Sequence, residues 1–77
     1  MNKARRKQLE EIVNNLDEQK SAIESVCEEE QEAFDNLPES IQYSERGETM
    51  ESYISEMEDA ISNLEDIISN LQEIIDA

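Results

Sequence analysis

Apolar residues return along this chain in sevens. Four units begin at Leu9 (LEEIVNN, LDEQKSA, IESVCEE, EQEAFDN) and four more at Met50 (MESYISE, MEDAISN, LEDIISN, LQEIIDA). Position 1 of these units reads Leu9, Leu16, Ile23 and Glu30, then Met50, Met57, Leu64 and Leu71. Positions 4 and 5 carry pairs such as Ile12/Val13, Val26/Cys27, Tyr53/Ile54, Ile67/Ile68 and Ile74/Ile75. A helix turns about 100° per residue, so positions 1, 4 and 5 share one face. The pattern predicts an all-α fold made of two long amphipathic helices.

The breaks lie between the two sets. Neither Gly nor Pro interrupts the first set, and Pro38 ends it, because the residue before a proline is driven out of the helical region. The first helix is expected over about residues 3–36 and the connector over 37–43. Asn36 is a candidate cap for a short turn over Pro38, Glu39 and Ser40. Ser44 is a good N-cap, with Glu45 favourable in the first turn, so the second helix is expected over about 44–75. Gly47 then falls in that first turn and weakens it by about 1 kcal/mol relative to Ala. A connection this short makes the helices antiparallel neighbours, a coiled-coil-like hairpin within a single domain.

The apolar stripe is wider than one partner helix covers. A two-strand seam needs two positions in seven, whereas three are apolar here. The hairpin is therefore expected to form a homodimer, a four-helix bundle, with Val13, Phe34, Ile54, Ile61, Ile68 and Ile75 of position 5 as the self-association set. Glu30 interrupts position 1. Three roles stand open for it: a site where the core meets solvent near the loop, a partner for Arg46, or a polar group that sets register.

Composition narrows the chemistry. The 77 residues contain no His and one Cys, so neither a nucleophile–imidazole pair, nor a structural zinc site, nor a disulfide within the chain is available. No catalytic residue, metal site or cofactor is predicted. Cys27 lies on the stripe, either as a small buried hydrophobe or as a disulfide partner across a dimer axis. A lone thiol and no apolar leader or membrane-length run point to a cytoplasmic setting.

Charge is the remaining signal. The net charge is −15, and from Gln8 onward only Lys20 and Arg46 are basic against all 21 acids. Such a surface repels nucleic acid and anionic membrane and attracts basic proteins. The basic start, Lys3, Arg5, Arg6 and Lys7, is expected to lie beside Glu73 and Asp76 at the far end of the second helix rather than to act as a nucleic-acid arm. Like-charged neighbours such as Glu24/Glu28 and Glu28/Glu32 help neither helix nor register. The candidate partner-binding residues are Glu24, Glu28, Glu29 and Glu32 on the first helix and Glu58, Asp59, Glu65 and Asp66 on the second. Ile41, Tyr43 and Arg46 in and beside the connector form a second candidate contact.

The stretch EEEQEAFDNLPESIQYSERGETME, residues 28–51, resembles short acidic proteins of phages and integrated elements of Gram-positive bacteria. The resemblance extends over the whole chain, including the MNKARRK-like start. No functional residue is transferable from that group. It implies a bacterial cytoplasmic setting and a protein that binds and blocks a host protein. The competing reading is a structural protein that only self-assembles through its stripe.

Overall fold

The computed structural model describes all 77 residues and forms three helices: α1 (Lys3–Asp35), α2 (Glu39–Gln42) and α3 (Glu45–Asp76). The two long helices lie against each other as an extended hairpin with Cα dimensions of 58 × 15 × 12 Å. The Asn2 side chain caps α1, accepting from the Arg5 N–H at 2.9 Å. At the other end the Asn36 N–H donates to the Glu32 carbonyl at 3.0 Å, so Asn36 ends α1 rather than starting the next turn.

The connector is more ordered than its composition suggests. Pro38 is extended (φ −55°, ψ 145°), and its carbonyl accepts from the Ile41 and Gln42 N–H groups, which closes the single turn of α2. Gln42 then reaches back, its side-chain amide donating to the Phe34 carbonyl at 3.1 Å and the Asp35 carbonyl at 3.4 Å. Those are end groups of α1 with no helical partner of their own. Ser44 stands at the N-cap of α3 with extended backbone, but its hydroxyl turns back to the Ile41 carbonyl and caps nothing. Glu45 and Glu48 supply negative charge to the first turn instead.

Gly47 is the pivot of this corner. It is buried, and a Cβ there would fall on the Gln42 carbonyl group, within 2.7 Å of the Gln42 Cα. The propensity lost by a glycine in a helix is thus exchanged for a close backbone approach that no other residue allows.

Burial assigns the three apolar rows. Val13, Cys27, Ile54 and Ile75 of position 5 are buried, at most 9% exposed, and Phe34, Ile61 and Ile68 are half-buried. Every residue at position 1, from Leu9 to Leu71, is also half-buried. The Cys27 thiol points to the Ile54 carbonyl at 3.9 Å, and Arg6, one seven before Val13, donates to the Ile75 carbonyl at 2.5 Å. Positions 1 and 5 alternate by four and three residues, which is a heptad seam, and they meet inside one chain. The set expected to join two hairpins, Val13, Phe34, Ile54, Ile61, Ile68 and Ile75, is therefore already used within the hairpin. The third row, position 4, is left outside.

Candidate functional site

The seam fixes what each long edge of the hairpin carries. In an antiparallel pair, equivalent flanking positions of the two helices fall on the same side. Position 2 flanks the seam on one side, with Glu10, Asp17 and Glu24 from α1 and Glu51, Glu58 and Glu65 from α3. Position 3 lies on the back of each helix, directly opposite the seam, with acids such as Glu18, Glu32, Asp59 and Asp66. Lys20 stands at seam position 5 and leans to this edge, its ammonium 3.7 Å from Glu24 and 3.6 Å from Glu65. A lysine stem can line an apolar seam while its head stays at the rim.

Of the eight acids singled out by sequence, Glu24, Glu28 and Glu58 line one open groove of about 270 Å³ together with Cys27, Gln31 and Ile61. Glu65 stands at the same edge, joined to Glu24 through Lys20. Glu32, Asp59 and Asp66 are exposed on the backs of their helices, away from that groove. Glu29, at position 7, falls toward the opposite edge. No three acids converge as a metal site would require.

The opposite edge is apolar. Ile12, Val26, Tyr53, Ile67 and Ile74 keep between 44% and 55% of their surface exposed. Val26 and Ala60 line a second open groove of about 360 Å³ together with Ala22, Ile23 and Met57, so the two position-4 rows lie side by side. Its rim at position 7 holds Asn15, Asn63 and Asn70 together with the acids Glu29 and Glu56, all exposed. The sequence reading treated positions 4 and 5 as one stripe. What separates them is that position 5 of α3 is an unbroken run of Ile from Ile54 to Ile75, while position 4 admits Tyr53 and Ala60.

Three smaller expectations also meet the geometry. Glu30 is half-buried in the seam and makes no ion pair, while Arg46 is exposed and unpaired, so the two do not join. The basic start lies beside the end of α3, but the contact is Arg6 on the Ile75 carbonyl and not a bridge to Glu73 or Asp76. Cys27 is enclosed between the helices, so a disulfide to another chain would require the seam to open. In the connector, Tyr43 is 78% exposed and Arg46 exposed, whereas Ile41 is half-buried.

No protein-family model, curated protein or solved structure matches the chain. No helix is long and apolar enough to cross a membrane.

Proposed function

We propose that this chain is a non-enzymatic acidic binding protein from a phage or mobile element, acting in the cytoplasm of its bacterial host. It captures a basic host protein electrostatically, in the place of a nucleic acid, and it works as two hairpins joined in a four-helix bundle. The observation that carries this reading is the gathering of position-2 and position-6 acids from both helices, Glu24, Glu28 and Glu58 among them, along one edge. At a rise of 1.5 Å per residue, that edge holds about one carboxylate per 5 Å of rod. One strand of nucleic acid carries a charge about every 3.4 Å. A protein groove shaped to hold phosphates meets here a continuous line of negative charge on a rigid support, somewhat sparser than the phosphates it would replace. The resemblance to short acidic proteins of mobile elements points the same way.

The test is a pull-down from Gram-positive lysate with the tagged chain, washed at low and at high salt and read by mass spectrometry. Beside it runs the variant Glu24→Gln, Glu28→Gln, Glu58→Gln, Glu65→Gln. One stoichiometric partner with a basic nucleic-acid groove, lost at high salt and lost by the variant, is the expected result. A partner that the variant retains would sink electrostatic capture. Recovery of the bait alone would leave the structural self-assembling reading, which the exposed position-4 row favours.

A further inference from the structure

We infer that the position-4 edge is the face on which a second copy of this chain docks, head to tail, about a two-fold axis at mid-length. The inference rests on the dimer in the reading above and adds its face and its orientation; it does not depend on what the acidic edge binds.

Area argues for an occupant. The chain exposes 5708 Å². A compact monomer of 8.9 kDa would expose roughly 4,800 Å², so the excess is roughly 900 Å². A standard interface covers about 800 Å² on each partner. Five residues only are buried, which is little for a chain of this length to stand on alone.

Charge argues that the occupant is another copy. A basic partner would be drawn to the acidic edge, and this edge offers it only Glu29 and Glu56. A second chain of charge −15 can approach only where few acids face it, and this edge, whose rows at positions 4 and 7 hold no acids but Glu29 and Glu56, provides that. Charge also selects the orientation. The loop end carries Glu28, Glu29, Glu32, Asp35, Glu45 and Glu48 against Arg46 alone, while at the other end Lys3, Arg5, Arg6 and Lys7 offset Glu10, Glu11, Glu73 and Asp76. Stacking loop end on loop end sets acid against acid. Head-to-tail stacking sets the acidic end of one copy over the basic start of the other.

The rows then match themselves. Apart from Arg5 and Arg46 at their starts, Gln19 is the one polar residue in the position-4 rows, and it stands midway between Lys3 and Asp35. A head-to-tail two-fold axis there brings Gln19 against Gln19 of the second copy, where the two amides can bond each other. One polar pair in an apolar interface is a known means of fixing register. The same axis sets Ile12 against Val26 of the second copy. On α3 it sets Tyr53 against Ile74 and Ala60 against Ile67. The midpoints of the two rows lie at one level, as the Lys20–Glu65 and Cys27–Ile54 contacts across the seam require.

The experiment joins sedimentation equilibrium with cysteine cross-linking on the full chain. The native chain should sediment at twice its 8.9 kDa mass. Ile67→Glu should weaken association at least 100-fold with helix content kept by circular dichroism, and Ser62→Glu, off this face, should leave it unchanged. In a Cys27→Ala background, Gln19→Cys oxidised with copper phenanthroline should give a covalent dimer. If Ile67→Glu fails to fold, the cross-link decides alone. A native monomer would overturn this inference and the dimer above it while leaving capture by the acidic edge standing. A monomer that instead binds a different protein through Ile67 would do the same. A dimer indifferent to Ile67→Glu would overturn the face alone. Ile67-dependent dimers in which Gln19→Cys stays uncrosslinked would overturn the head-to-tail arrangement alone.

Discussion

The two long edges of the hairpin are built by the same helices at the same spacing, and they differ only in the residues on either flank of one seam. Position 2 holds Glu24, Glu58 and Glu65; position 4 holds Val26, Ala60 and Ile67. Neither set is needed to close the hairpin, since positions 1 and 5 do that. A helix pair held by two positions in seven leaves both flanks free, one for charge and one for apolar contact. Seam and flanks should therefore answer mutation very differently.

The sharpest contrast is between two isoleucines. Ile54→Ala opens a void in the seam and should cost about 2–5 kcal/mol, a fall in Tm of ten degrees or more in a domain this small. Ile67→Ala, half-exposed on the apolar edge, should cost under about 1 kcal/mol in dilute chain. Equal losses in thermal circular dichroism would erase the distinction between rows 4 and 5. Gly47→Ala comes next. Ala is the better helix former by about 1 kcal/mol, yet the added methyl meets the Gln42 backbone. Overpacking of this kind costs about 1–3 kcal/mol, so urea unfolding should show a net loss; a gain would mean that the corner can move.

Smaller effects test the acidic edge. Lys20→Gln removes the contacts to Glu24 and Glu65, each a solvent-screened pair at the seam rim that contributes about 1 kcal/mol at most. Its loss of Tm should shrink as salt rises. For the native chain, raising salt from about 0.01 M to 1 M shortens the screening length from about 30 Å to 3 Å. Repulsion along Glu24, Glu28 and Glu32 should weaken with it, and Tm should rise by a few degrees. In the variant with Gln at 24, 28, 58 and 65 that rise should flatten, which a salt series in parallel melts would read.

The heptads made the two helices and their antiparallel pairing legible, because a period of seven has one structural meaning over four successive units. They did not say which rows meet. Steps of four and three run equally well through positions 1 and 5 or through 1 and 4, and Ile12/Val13 or Ile67/Ile68 fill either seam. The acids could be named but not placed. Glu24, Glu28 and Glu58 gather in one groove and Glu29 does not, and the difference depends on that same choice of rows. Gly47 was read from propensity alone as a weak point. Its role comes from the passing backbone of Gln42, a contact set by the fold of the connector and carried by no local pattern.

That corner also separates phase from length. Gln42 and Gly47 set how α1 and α3 enter the seam, and each seven that follows repeats the same cross-section. One further seven in both helices would extend the rod by about 10.5 Å and leave every edge where it is. The molecule is built like a ruler, in which reach can be lengthened without redrawing the marks.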